Sequence, residues 1–339
     1  MHIAIVGAGS IGCYLGGCLA TADTKVTFIG RERIRKELEA HGLRVTDWQG
    51  RDATLPAQQL HYTTDISAIE NAEVVLVTVK SPHTAEAALE ISKHIRPGTI
   101  VVSFQNGLRN AWTLKKHISN NLVLAGMVPF NVSHQGQGHF HCGTEGVLAI
   151  EQARGIEKLF VASLAAAGLP CHIHKNMLPV QWGKLLMNLN NPINALAGIP
   201  LVEELQNKGY RKVLAASMRE ALAVLKTAGI KPARTGKVFP AVVPFMLELP
   251  DWLFSKVANT MLKIDPQATS SMQEDLSLGR FTEVDYLNGE IIRLGEEHGL
   301  ATPVNRAIAR LIHEAEEARE GSPRLSSESL LGCISNRTV

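Results

Sequence analysis

Short continuous apolar runs alternate with helically spaced stretches through the first half of the chain, and beyond about residue 178 helical spacing dominates. Residues His2 to Ala8 (HIAIVGA) form a run of the kind found in strands buried on both faces. Similar strands are predicted at Lys25–Ile29, Leu60–Thr64, Val74–Val79, Thr99–Phe104 and Leu122–Val128. Helical spacing intervenes at Ile11–Ala20, His83–His94 and Ala111–His117. Such alternation builds an α/β domain around a doubly wound parallel sheet. The glycine-rich segment Asn131–Gln152 is predicted to add antiparallel strands that close this domain. A helix at Ile156–Ala167 and a strand at Cys171–His174 then lead into the second half. There, helices are expected at Val180–Leu196, Tyr210–Ala228, Val284–His298 and Val304–Ala318, with short helices and a bend in the proline-interrupted Val238–Leu253. The expected organisation is an α/β domain at 1–177, an all-helical domain at 178–320 and a Ser-rich tail, partly packed at best, at 321–339.

The first predicted strand runs directly into Gly7-Ala8-Gly9-Ser10-Ile11-Gly12, which opens the first helix. In this setting the three glycines permit, in turn, a tight turn, close backbone approach to a pyrophosphate, and close packing of helix on strand. The diphosphate of a dinucleotide would face the free N–H groups at the helix start. The domain is therefore read as a Rossmann domain. At the end of the second strand, an NAD-preferring site usually carries an acid that accepts from the ribose hydroxyl. Here Gly30 stands there, followed by Arg31, whose guanidinium suits a 2′-phosphate. NADP (NADPH) is the expected cofactor, with Glu32 as the alternative acid if the strand runs longer. Lys80 and Asn106 fall at the carboxyl ends of two other strands, where ligands of such sheets sit.

Composition narrows the partners. With 45% hydrophobic and 19% charged residues, the chain reads as an ordinary globular protein. A net charge of +2 and the lack of a basic run argue against nucleic acid or an anionic membrane. The five cysteines are scattered without a CxxC pair, which points to a reducing compartment and no structural zinc. His139-Phe140-His141-Cys142 is read as hairpin and surface, so no metal is expected. Met1 leads straight into a strand and no apolar run reaches membrane-spanning length, so a cytoplasmic protein is expected.

In the second half, Lys184, Asn188 and Asn191 are spaced i, i+4, i+7, which on one helix puts them on one face among apolar neighbours. Buried, they form either a structural polar cluster or a catalytic lysine held by carboxamides. GAGSIG, Lys80, Asn106-Gly107, Lys184-x-x-x-Asn188, Ser270-Ser271-Met272 and Thr282-Glu283-x-Asp285-Tyr286-x-Asn288-Gly289 together resemble ketopantoate reductase (2-dehydropantoate 2-reductase) over about residues 1 to 320. The resemblance implies a Rossmann domain followed by a helical domain like that of 6-phosphogluconate dehydrogenase. It also implies Lys184 as general acid, Asn106 near the nicotinamide, Ser271 on the substrate carboxylate and Glu283 on its hydroxyl. Asn188 and Asn191 are expected to contact the substrate, a small 2-oxo acid. The chain departs from the family where Asn191 follows the lysine one residue early, and where Ala268 and Leu201 replace asparagines. The implied activity is NADPH-dependent reduction of ketopantoate in pantothenate biosynthesis. The alternatives are reduction of another branched 2-oxo acid and a non-catalytic NADPH-sensing protein. A homodimer is the expected assembly.

Overall fold

The computed structural model describes residues 1–234, 238–261 and 268–335. The chain divides into two compact units, Met1–Met177 and Leu178–Val339. In the first, the elements follow in the order β1 (His2–Val6), α1 (Ser10–Ala20), β2 (Lys25–Ile29), α2 (Glu32–His41), β3 (Leu43–Asp47), β4 (Asp52–Leu55), β5 (His61–Thr63) and β6 (Val74–Val77). They continue with α3 (Thr84–His94), β7 (Ile100–Ser103), α4 (Asn110–His117), β8 (Val123–Met127), β9 (Val132–Gly136), β10 (His139–Cys142), β11 (Leu148–Glu151), α5 (Ile156–Ala166) and β12 (Cys171–His174).

Eight of these strands form one sheet in the order β12-β11-β8-β7-β6-β1-β2-β5. β1 is interior, parallel to β2 on one side and β6 on the other. Its residues are apolar without alternation because both faces are covered. Ile3 and Ile5 point into a core with Leu15 and Phe28, and Ala4 and Val6 into another with Val75, Ile91 and Leu114. The chain reverses its direction of winding at β1, so the glycine turn after β1 sits at the switch point where such sheets take ligands.

The expected antiparallel closure at 131–152 is only partly right. β9 and β10 do pair antiparallel, but in a separate four-stranded sheet ordered β4-β3-β10-β9, where β10 runs parallel to β3. β11 instead joins the large sheet, antiparallel to β8. The strands at 43–55 are not expected from sequence patterning. They are short and carry polar residues such as Arg44, Thr46 and Asp52, so their local signal is weak; β3 and β4 pair as a hairpin, and the other partner of β3, β10, lies nearly a hundred positions away.

The second unit contains α6 (Leu178–Asn188), α7 (Asn190–Ala197), α8 (Leu201–Gln206), α9 (Lys208–Thr227), α10 (Val243–Leu247), α11 (Asp251–Met261), α12 (Ser271–Ser277), α13 (Asn288–Glu297), α14 (Pro303–Ala318) and α15 (Ser327–Ser335). The single helix expected at Val180–Leu196 is two, broken at Leu189. Pro192 lacks the N–H that would reach the Asn188 carbonyl, and its ring crowds that carbonyl. Asn191 thus belongs to the helix after the one carrying Lys184 and Asn188. A second expected helix, Val284–His298, is a 3₁₀ turn over Val284–Tyr286 followed by α13, with Leu287 out of helical conformation. The fully buried Asn288, which opens α13, donates its Nδ2 to Asn305 Oδ1 at 3.0 Å.

The tail is also better packed than expected. Leu330 of α15 is fully buried and Ile334 nearly so. Tyr210 donates its hydroxyl to the Leu325 carbonyl at 2.9 Å. Residues 336–339 of that tail lie outside the described residues.

Candidate functional site

In the first unit the site begins at the turn after β1. Gly7 has φ +97°, and a Cβ there would lie 2.5 Å from the Val79 nitrogen. Only glycine fits such a position. The amides of Gly7 and Ala8 both donate to the Ile29 carbonyl, at 2.9 and 3.0 Å, which clamps the turn to the end of β2. A Cβ on Gly12 would meet Thr78 Oγ1 at 2.7 Å and the Gly7 carbonyl at 2.8 Å, so α1 packs too closely for a side chain. Gly9 differs: a Cβ there would find only the Gly7 oxygen, at 3.9 Å. It is exposed and caps α1. The open side of the turn therefore lies against the first amides of α1, at Ser10 and Ile11, which suits a diphosphate.

Gly30 has a reason that the sequence did not disclose. A Cβ at that position would stand 2.2 Å from the Tyr62 hydroxyl and 3.2 Å from Ala8. The Tyr62 hydroxyl donates to the Arg31 carbonyl at 3.3 Å. The position that carries an acid in NAD-preferring sites is thus filled by a tyrosine from β5. Glu32, the alternative acid, is taken by Arg35 through two bonds of 2.7 and 2.6 Å. Arg33 reaches Glu37. Arg31 is exposed and forms no ion pair or side-chain hydrogen bond among the described residues.

Lys80 and Asn106, both partly exposed, sit on the loops that follow β6 and β7. A buried polar network fastens these loops, and none of its members stands out in the sequence. Gln105 Nε2 donates to the Val79 carbonyl at 2.9 Å and to Thr84 Oγ1 at 2.7 Å. Thr84 donates to Asn110 Oδ1 at 2.8 Å, and Asn110 Nδ2 donates to Ser81 Oγ at 3.0 Å. Ser81 donates to the Asn106 carbonyl at 3.0 Å. Gly107, with φ +85°, makes the turn beyond Asn106. The available signal is the polar run at 103–110 beside an apolar strand, together with Thr84 and Asn110 at two helix starts.

In the second unit, Lys184 and Asn188 lie one turn apart on α6, flanked by the buried Trp182, Leu185 and Leu186. Desolvation alone lowers the Lys184 pKa from its ordinary 10.5 to about 8. Asn188 is buried and Asn191 half-buried. Ser270 joins α7 to α12: its hydroxyl donates to the Asn191 carbonyl at 3.0 Å, and its N–H donates to Asn194 Oδ1 at 2.8 Å. The helix cap is Ser270, whose Oγ accepts from the Gln273 N–H at 3.1 Å, and this leaves the Ser271 hydroxyl exposed. α12 has seven residues, so the side-chain hydroxyl rather than a helix terminus is what Ser271 offers a carboxylate. Asn194 is itself held by the buried Glu204, whose Oε2 accepts from Asn194 Nδ2 at 2.8 Å and from Asn190 Nδ2 at 3.4 Å. Burial raises the Glu204 carboxyl to about 8 against the pull of those two amides. Glu283 is half-buried and opens the 3₁₀ turn.

Among the described residues no group of three or more His, Cys, Asp or Glu could hold a metal ion. His139 and His141 both hydrogen-bond Thr46 Oγ1, each at 2.7 Å. No helix of the described residues is long and apolar enough to cross a membrane.

Two family models match the chain: ketopantoate reductase PanE/ApbA over residues 3–155, and ketopantoate reductase PanE/ApbA C terminal over residues 176–316. The 2-dehydropantoate 2-reductase of Halobacterium salinarum is 28% identical over 326 residues, covering 93% of this chain and 99% of that protein. A crystal structure of a PanE/ApbA family ketopantoate reductase from Ralstonia eutropha JMP134 is similar with TM-score 0.80 and 31% identity, over 94% of this chain and 100% of that one. D-mandelate dehydrogenase, solved with NADH and anilino(oxo)acetate, has TM-score 0.75 over 94% of this chain and 99% of its own, and at 22% identity that is a likeness of fold. The chain is an α/β parallel-sheet domain followed by a helical domain, and it belongs to the ketopantoate reductase PanE/ApbA family of oxidoreductases.

Proposed function

We propose that this chain reduces ketopantoate to pantoate with NADPH, a step of pantothenate and coenzyme A biosynthesis in the cytoplasm. The observation that carries the reading is Lys184: an ammonium with its pKa lowered to about 8, one helical turn from a buried carboxamide, in the chain of a reductase family. Reducing a ketone requires a proton on the oxygen that becomes an alkoxide. An ammonium with a pKa near 8 is charged for much of the neutral range and gives up its proton more readily than an exposed lysine. Pointed at the developing oxyanion, it also stabilises that charge. Asn188 and Asn191 can orient the lysine and the substrate without competing for the proton.

The first unit, 1–177, is assigned to the cofactor, which supplies the hydride when bound. Residues 7–12 would hold its diphosphate, and Lys80 and Asn106 would flank it on the strand-end loops. Arg31 would take the 2′-phosphate, a choice supported by the Tyr62 hydroxyl at the place of an acid and by the pairing of Glu32 with Arg35. Residues 178–320 are assigned to the substrate, with Ser271 on its carboxylate and Glu283 on its hydroxyl. A homodimer is the proposed assembly, supported by the apolar surface of Phe239, Phe245 and Trp252 on the second unit. Light scattering that returns a monomer mass would remove it.

A second substrate is favoured by one observation. Leu201 and Ala268, which replace asparagines of the family pattern, are neighbours: the Leu201 N–H donates to the Ala268 carbonyl at 2.9 Å. Two lost amides at one place suit a branched 2-oxo acid with fewer polar groups. NADPH oxidation followed by absorbance against a panel of 2-oxo acids, including ketopantoate and 2-oxoisovalerate, tests both readings. Ketopantoate is expected to give the highest kcat/KM. Lys184→Ala should keep NADPH binding and lose turnover by roughly 10²–10⁴. NADPH binding without oxidation by any 2-oxo acid would leave a cofactor-sensing protein instead.

A further inference from the structure

We propose that His313 is a positioning residue for Glu283, the carboxylate that recognises a hydroxyl on the substrate, anchoring the Asp285 side chain on one side of it directly and the Thr282 amide on the other through Glu316. The proposal rests on the role given to Glu283 above. His313 and Glu316 lie one turn apart on α14. His313 Nδ1 stands 3.0 Å from Glu316 Oε2, and its Nε2 stands 3.0 Å from Asp285 Oδ1. An ionised carboxylate has no proton to give, so each ring nitrogen must donate, and the ring that satisfies both is the imidazolium.

Glu316 completes the arrangement from its other oxygen, with Oε1 accepting the Thr282 N–H at 2.6 Å. The chain is thus tied to α14 immediately before Glu283, at Thr282, and two residues after it, at Asp285. Two local bonds stiffen the same segment: Val284 N–H to Thr282 Oγ1 at 3.2 Å, and Tyr286 N–H to the Glu283 carbonyl at 2.9 Å. Thr282 and Glu316 are buried, and the His313 ring stands beside the Glu316 carboxylate. Removing the ring would leave Glu316 buried without that partner and Asp285 tethered only by the chain. A hydroxyl contact depends steeply on distance and angle. Loosening the segment should therefore weaken what Glu283 itself holds and spare contacts made elsewhere.

The test compares wild type, Glu283→Ala, His313→Ala and His313→Gln on ketopantoate, which carries a hydroxyl, and on 2-oxoisovalerate, which does not. Glu283→Ala is expected to lose about tenfold or more in kcat/KM on ketopantoate and much less on 2-oxoisovalerate. His313→Ala should show the same discrimination at about threefold or more, carried by KM with kcat nearly unchanged. His313→Gln, which keeps one donor, should fall between wild type and His313→Ala, and it serves as the readout if the alanine variant does not fold. Equal losses on both substrates, or no loss, while Glu283→Ala discriminates, would overturn the positioning role. If Glu283→Ala itself fails to discriminate, the role of Glu283 falls, and that of His313 with it.

Discussion

Two ionisable side chains in the second unit, Glu204 buried and Lys184 half-buried, have pKa values displaced in opposite senses, and the signs lead to separate predictions. Glu204 is buried beside two amides with no cation among its hydrogen-bond partners, and its carboxyl is raised to about 8 from 4.5. Between those values the folded state keeps a proton that the unfolded state releases, so stability should fall as pH rises from about 4.5 to 8. Glu204→Gln keeps the acceptor for Asn194 and should flatten that slope in urea titrations across the range. Lys184 is lowered to about 8 from 10.5. Here the unfolded chain holds the extra proton, so stability should rise between about pH 8 and 10.5. Lys184→Met should abolish that rise, and an unchanged slope would mean that Lys184 is better solvated than its surroundings suggest.

At the scale of elements, Arg211 is the joint of the helical unit. Its guanidinium is buried and donates to the carbonyls of Leu247 at 2.8 Å, Leu205 at 3.0 Å, Gln206 at 2.9 Å and Leu249 at 3.2 Å, and to Asp251 at 2.6 Å. One side chain of α9 thereby satisfies the carbonyl end of α8 and the segments that close α10 and open α11. It also stacks on Phe254, 4.3 Å from the ring centroid. Arg211→Met would bury those carbonyls unpaired and should cost about 3–5 kcal/mol. Asp251→Ala removes only a largely exposed partner and should cost about 1 kcal/mol or less. Chemical denaturation of the two variants checks the contrast, and equal losses would mean that charge rather than carbonyl pairing holds the joint.

For the whole molecule, cofactor binding should be read out by one unit. NADPH at a hundred times its Kd stabilises the state that binds it by about 2.7 kcal/mol. Hydrogen exchange with and without NADPH should show new protection at residues 7–12, at 30–31 and on the loops carrying Lys80 and Asn106. The α13 and α14 amides should change little by comparison. Protection confined to the second unit would refute the assignment of the cofactor to the first. The same experiment with NADH should give weaker protection at Arg31 in particular, because that residue has no 2′-phosphate to meet.

How much of the molecule is legible in its sequence follows the range of the forces involved. β1, the glycine turn and α1 can be read because a doubly buried strand, a positive-φ glycine and a helix start are all written within about a dozen consecutive residues. The family resemblance likewise rests on short local motifs, and the order of sheet and helices follows from it. The four-stranded sheet escapes because β3 and β4 are short polar strands and the partner of β3, β10, lies about ninety-five positions away. Pro192 is in plain view, yet the break it makes between Asn188 and Asn191 is a matter of one missing N–H and a ring against a carbonyl. Gly30 reads as a missing acid, and only the fold shows that a side chain there would have to displace the hydroxyl of Tyr62 from β5. The pKa values of Lys184 and Glu204, and the imidazolium between Asp285 and Glu316, depend on which groups stand within a few ångströms. Local spacing carries periodicity and turns, whereas desolvation and hydrogen bonding arise from neighbours that folding brings from elsewhere in the chain.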